Sequence, residues 1–463
     1  MIWSQMFSGG NTLRKRFALA LSEYFVVSLN NFFITWPATA IGEYWDILNR
    51  NAFGNFRDLL EEITLCPAMG IFLNTRGNRK ADPATGRVPD ENYGREVMQL
   101  FTIGLFELNP DGTQRLSNGQ PIETYTNEDV TGIAKVFTGY DIDAADAVRM
   151  LDFTGSFLVR DARGSRRPMT SDHTRFERPA RESQHSLEEK TFLGLTIPAG
   201  TGAEESLRLC LDHLVAHPNV GPFFSRQMIQ RLVTSNPSPA YVQRVAAVFD
   251  NNGQGVRGDL GAVFKAILLD DEALDPANAN SSTFGKLREP MLRYIQFART
   301  FNASTISGRW QVGGLSDQMT SLGQSPLRPP SVFNFFRPQY FPTNSQIADQ
   351  GLLAPEFQLV NEISVAGYVN FIESVIPGSR FPVADVALDY SAEVAMADDP
   401  VALLDRLDLI MTGNQLTTAT RDLIIGSIES VSIGTSSEDA DRLRRVQIAV
   451  LLILSSPDYL IQK

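Results

Sequence analysis

At 463 residues, 43% hydrophobic and 20% charged, the chain has the composition of a folded protein sized for one large or two coupled domains. Its formal net charge of −12 and pI near 5.0 argue against a broad nucleic-acid footprint, which needs clustered Lys and Arg. The basic runs at 14–16, 76–80 and 163–167 are short and read as solvated faces or local ion pairs.

Two cysteines, Cys66 and Cys210, are too few for a disulfide framework and belong to no CxxC pair, so they read as buried thiols. No stretch approaches the roughly 18 apolar residues of a membrane span. Residues 446–454 reach about half that length and read as a buried helix. The opening residues lack the basic-then-apolar order of a signal peptide. Patterned, core-like sequence begins almost at once, which raises the expectation of a missing upstream portion.

In chain order, the first helical stripe runs over 13–28, through Leu13, Phe17, Ala20, Leu21, Tyr24 and Phe25. Residues 56–65 follow with the same period. Residues 74–92 are rich in Gly, Pro and charge and lead into PDENYGREVMQLFTIG, a helix beginning with acids, an amide and an arginine. Asp90 is its candidate cap. A helix over 126–137 comes next, with Asn127 as a plausible cap. Residues 141–190 are polar and irregular. Extended pieces are expected at 155–160 and around 191–197. Helices then recur at 205–216, 220–232, 239–249 (Ser238 capping, Pro239 first), 259–269, 289–301, 356–373, 400–411 and 442–454. Residues 322–350, rich in proline and aromatics, form a long irregular stretch of the kind that is functional or mobile.

The expected fold is therefore mainly α: a large multi-helix assembly with long Pro/Gly/aromatic-rich loops and at most a few short strands. Its organisation reads as 1–140, carrying the ENYGRE motif, an irregular polar segment at 141–200, and a helical part at 201–463, coupled as one unit. P-loop, GxSxG, GxGxxG and HExxH signatures are absent, so the residues name no cofactor and no metal.

Several stretches carry a resemblance: AFGNFRDLLEEITLCPAMG, PDENYGREVMQLFTIGLFELN, TYTNEDVTGIAKVFTGY, HSLEEKTFLG, FGKLREPMLR and SPDYL. With them the chain resembles the bacterial family called domain of unknown function 1800 over nearly its whole length. The resemblance implies a mainly helical, exported protein, periplasmic or secreted. Such proteins are often encoded beside an exported partner of the domain of unknown function 1501 family. It implies no reaction. Members often show His-Asp where this chain has His185-Ser186, and Lys190 matches the lysine of the pattern.

Helical spacing places Glu91, Arg95 and Gln99 on one stripe and Asn92, Glu96 and Gln99 on an adjacent one, with Tyr93, Val97, Leu100 and Phe101 apolar. As a functional set, Glu91 and Glu96 would be an acid/base pair or hard-cation ligands. Arg95 and Asn92 would support them, and Asp129 would be a further ligand. As a structural set, the same groups form a polar network at a helix start. His185, near Lys190, is a candidate general base or anion contact, or an ordinary surface histidine. His213 and His217 have HxxxH spacing, but Pro218 follows at once and no glutamate follows His213, so zinc is disfavoured. Gln324, Asn334 and Arg337 in the proline-aromatic stretch would line a carbohydrate or peptide contact, or pack a crossover. Two functions follow: a binding or assembly component working with an exported partner, or an exported hydrolase or lyase acting on a polymeric or glycan-like substrate.

Overall fold

The computed structural model describes residues 2–30, 32, 37–145, 148–151, 157–160, 163–378 and 385–463. Helices make up 49% of the chain, and the strands form two-stranded antiparallel ribbons, so the fold is mainly α. Contacts divide it into two compact units. The larger holds Arg16–Leu232 and Pro237–Leu274; the smaller holds Met1–Lys15, Val233–Asn236 and Asp275–Lys463.

The larger unit begins within α1 (Thr12–Tyr24) and continues through α2 (Pro37–Arg50), α3 (Phe56–Leu65), α4 (Pro67–Phe72), α5 (Asn92–Gln99) and α6 (Asn127–Ala134). The hairpin β1 (Lys190–Phe192) and β2 (Leu195–Ile197) precedes α7 (Ala203–Ala216), α8 (Val220–Leu232), α9 (Pro239–Asp250) and α10 (Leu260–Leu268). Its centre is aromatic. Phe17 stacks on Phe264 at 4.0 Å between centroids, and Phe56 meets Phe224 and Phe249 edge-on at 5.1 and 5.3 Å. Short polar side chains start the helices by taking first-turn N–H groups: Asn55 from Arg57, Ser238 from Tyr241, and Asp259 from Ala262. At α6 the cap is Thr126 and not Asn127, because Thr126 and Asp129 close a reciprocal capping box one residue earlier.

The smaller unit is built from α11 (Pro290–Thr300), α12 (Glu362–Val375), α13 (Pro400–Thr412), α14 (Thr418–Glu429) and α15 (Glu438–Ser455). Strand β3 (Lys286–Leu287) pairs antiparallel with β4 (Ile461–Gln462). Val446, Val450 and Ile453 give α15 one buried face, and no described helix is long and apolar enough to cross a membrane. Both cysteines are buried free thiols.

Some elements differ from the periodicity. The single helix expected over 356–373 is a 3-10 turn, Pro355–Leu359, followed by α12. Asn361 and Ser364 exchange side-chain and backbone hydrogen bonds in a capping box, which restarts the helix there. Helix α2, absent from the expected elements, does carry a stripe: Ile41, Tyr44, Trp45 and Leu48 recur at i, i+3, i+4 and i+7 and are buried. Helix α14 buries only Ile424 and Ile428, too thin a stripe to detect. Of the extended piece at 155–160, Phe157–Arg160 pairs with Val148–Leu151, while 155 and 156 lie outside the described residues.

Candidate functional site

Helix α5 is held at its start, where Glu91 occupies the cap position without a side-chain cap bond and Asp90 precedes it. Asp90 Oδ1 accepts the Asn92 N–H at 2.8 Å, and Asn78 exchanges two hydrogen bonds with the Asp90 backbone. Inside, Tyr93, Val97 and Met98 are buried, and the Tyr93 hydroxyl lies 2.6 Å from Thr64 Oγ1. Helix α6 lies against α5, and β1 lies against α6. Gly132 makes the second approach possible: a Cβ there would fall 1.8 Å from the Thr191 carbonyl oxygen.

This stack sorts the polar residues by environment. Glu91 and Arg95 pair at 3.4 Å as i,i+4 neighbours, with side chains 37% and 40% exposed. The other oxygen of Glu91 accepts from the Thr131 hydroxyl at 2.9 Å. Gln99 Oε1 accepts from the Tyr125 hydroxyl at 3.0 Å, and Asn92 is half-buried in the first turn. Glu96 turns inward and is 7% exposed. Its Oε2 has no hydrogen-bond partner among the described residues. Burial pushes its carboxyl above the ordinary value, against the opposing charge of Arg95.

Asp129 serves the fold. Oδ2 accepts the Thr126 N–H at 2.7 Å, and Oδ1 accepts the Leu193 N–H at 2.6 Å. His185, 2% exposed, lies behind the 138–140 turn, where Gly139 has φ +83° and a Cβ would meet the His185 backbone at 2.5 Å. Its Nδ1 donates to the Thr138 carbonyl at 2.8 Å. Burial lowers its pKa to about 4, with Lys190 adding to the effect and the Thr138 bond opposing it. Ser186, where family members often show Asp, is buried and donates its N–H to Thr138 Oγ1 at 2.8 Å. Lys190 is fully buried and donates to the Glu188 carbonyl at 3.2 Å; burial first, and Lys135 second, lower its ammonium.

The HxxxH pair is also committed to backbone. His213 Nε2 donates to the Leu193 carbonyl at 3.0 Å, and His217 Nδ1 accepts the Asn219 N–H at 3.2 Å. Burial lowers the His217 pKa even though it sits at the end of α7, where a cation would be favoured. Among the described residues, no group of three or more His, Cys, Asp or Glu is arranged to hold a metal.

In the smaller unit, Gln324 is fully buried. Its Nε2 donates to Glu289 Oε2 at 2.6 Å, and its Oε1 accepts the Met291 N–H at 3.1 Å. Asn334, 5% exposed, sits at φ +66°. Arg337 is exposed and lies 4.7 Å over the Phe333 ring. Gln324 and Asn334 therefore pack inward, and only Arg337 faces solvent.

The larger unit also contains a cleft of about 800 Å³ lined by Glu61, Tyr140, Asp143, Thr170, Arg175 and Arg208. None of the candidate site residues lines it, although Glu61 and Tyr140 fall in stretches that carry the family resemblance. Its charges are largely paired: Asp143 with Arg175, Arg208 with Glu205, and Glu61 with Arg57. The charge of the irregular 141–190 stretch is one trace of it in sequence, and α3 and α7 supply the facing residues Glu61 and Arg208.

A family model described as protein of unknown function (DUF1800) matches residues 1–461, so the chain belongs to that family. No curated protein and no solved structure matches it.

Proposed function

We propose that this member of the DUF1800 family is an exported binding or assembly component, and that its partner is an exported protein of the domain of unknown function 1501 family. One observation carries the reading: apart from Glu96, the candidate groups a reaction would need are committed elsewhere. Asp129 and His213 hold backbone, His185 and Lys190 are sealed, and Glu91 is taken by Arg95 and Thr131. Glu91, Arg95, Gln99, Tyr125 and Thr131, bonded among themselves, leave a partly exposed polar surface, the kind of rim that steers and registers a partner. The test is co-purification with the domain of unknown function 1501 protein encoded beside it, followed by titration. A complex that Arg95→Glu weakens about tenfold or more supports the proposal. No complex at micromolar concentrations sinks it.

Glu96 favours a second reading, an exported hydrolase or lyase acting on a polymeric or glycan-like substrate. A buried carboxyl with a raised pKa beside an arginine is suited to hold a proton for a leaving group. Turnover of a polysaccharide panel, abolished in a folded Glu96→Gln variant, would establish it. Unchanged turnover in that variant would end it.

A further inference from the structure

Two stretches singled out in the sequence, FGKLREPMLR and SPDYL, meet in the smaller unit. The Arg288 N–H donates to the Leu460 carbonyl at 2.8 Å, and the Tyr459 hydroxyl donates to the Arg293 carbonyl at 2.7 Å. This brings the Arg288 guanidinium 5.1 Å over the Tyr459 ring. The Arg293 guanidinium lies 4.9 Å over the ring of Tyr368, on α12. Arg293 is 6% exposed and Tyr459 fully buried, while Arg288 is half-buried. Arg293 Nε donates to the Arg288 carbonyl at 2.8 Å, and Arg288 Nη1 donates to Gln296 Oε1 at 2.6 Å.

Among the described residues, no carboxylate forms an ion pair with either arginine. Other arginines of this unit are compensated differently: Arg299 and Arg445 each donate to two backbone carbonyls, and others are held by carboxylates. Asp405 and Asp408 hold Arg421, and Asp398, Glu438 and Asp439 surround Arg442. Those partners raise the pKa of each, whereas burial lowers the pKa of Arg288 and Arg293, and Arg288 lowers Arg293 further. A guanidinium stays charged in a protein, so it cannot relieve this cost by losing a proton. Stacking on tyrosine compensates part of the desolvation and does nothing for the repulsion between two like charges. An anion beside Arg288 compensates both, and guanidinium forks are matched to phosphate and carboxylate oxygens.

We propose that Arg288 and Arg293, backed by Tyr368, Tyr459 and Gln296, form a binding site for a small oxyanion, the phosphate or carboxylate group of a ligand. The test is calorimetric titration of the full chain with inorganic phosphate and, separately, with acetate, at constant ionic strength balanced by chloride. Saturable binding of either probe is expected, weakened at least about tenfold by Arg288→Gln and left unchanged by Arg442→Gln. The stronger probe identifies the source as phosphoryl or carboxylate. Arg293→Lys keeps the charge but not the fork and should bind more weakly. If that buried variant does not fold, half-buried Arg288→Gln still decides. No saturable binding of either probe to wild type, or equal binding by wild type and Arg288→Gln, overturns the proposal.

Discussion

Asp129 Oδ1 accepts the backbone N–H of Leu193 at 2.6 Å, at a residue whose φ is +48°. Leu193 opens the tight turn between β1 and β2, with Gly194 following at φ +77°. Two positive φ values are what the common two-residue hairpin turn requires, and a leucine adopts one only under constraint. Asp129 supplies that constraint on one side and His213, bonded to the Leu193 carbonyl, on the other. A residue read as a metal ligand thus acts as a clamp between α6, the hairpin and α7.

Asp129→Ala should therefore cost more than a lost helix cap, about 2–4 kcal/mol in urea unfolding, since it removes both the cap and a charged hydrogen bond. Leu193→Gly should recover part of this in the Asp129→Ala background by relieving the turn. A loss below about 0.5 kcal/mol would contradict the clamp.

His185 sets a pH dependence. Its folded pKa of about 4 lies below the ordinary 6.5, so the unfolded chain binds the extra proton between these values. Its contribution is complete above pH 6.5 and is lost as pH falls toward 4, up to roughly 3 kcal/mol. Carboxylates titrate in part of the same window, so the informative quantity is the difference between wild type and His185→Gln. That difference should shrink steadily from pH 7 to 4.5; a constant difference would rule out the buried neutral imidazole as its source.

Lys286 and Glu356 form an ion pair at 2.6 Å with side chains 0% and 1% exposed. Removing one partner strands the other charge, so Lys286→Met should destabilise by about 3–5 kcal/mol, whereas Lys286→Met with Glu356→Leu should recover most of the loss. Thermal and urea unfolding of the three variants check this. A double variant no better than the single would show that the neighbouring Glu289 and Gln324, and not the pair, set the cost.

Glu96→Gln should stabilise the protein at neutral and alkaline pH. The wild-type carboxyl is raised, so the stability associated with its protonated form is present below the ordinary glutamate value and lost as pH rises through the folded one. The Tm gain of Glu96→Gln over wild type is expected to be larger at pH 8 than at pH 4.5. The opposite order would mean that Glu96 is a stabilising carboxylate.

Much of the helix framework was legible because its signals are local. Val220–Leu232 has the bounds its periodicity implies, Ser238 and Pro239 open α9 as their types suggest, and the spacing of Glu91 and Arg95 leads directly to their pairing. Each depends on residues within about four positions of one another. Where two local signals competed, as at Asn361 and Ser364 or at Thr126 and Asn127, hydrogen bonding shifted the boundary.

The environment of the candidate residues was not legible, because burial and partners come from distant sequence. Helical spacing sets Glu96 beside Tyr93, Val97 and Leu100, but nothing near it says that its Oε2 is left inside without a hydrogen-bond partner among the described residues. Nothing near His185 or Lys190 says that they are sealed. The cleft walls and the meeting of Arg288 with Tyr459 likewise need distant segments to pack. The sequence by itself thus determined a mainly helical chain and its family, since periodicity, caps and motifs are written over a few residues. Only the tertiary structure decided which polar groups are scaffold and which are open, because desolvation and long-range pairing exist only once the chain has closed on itself.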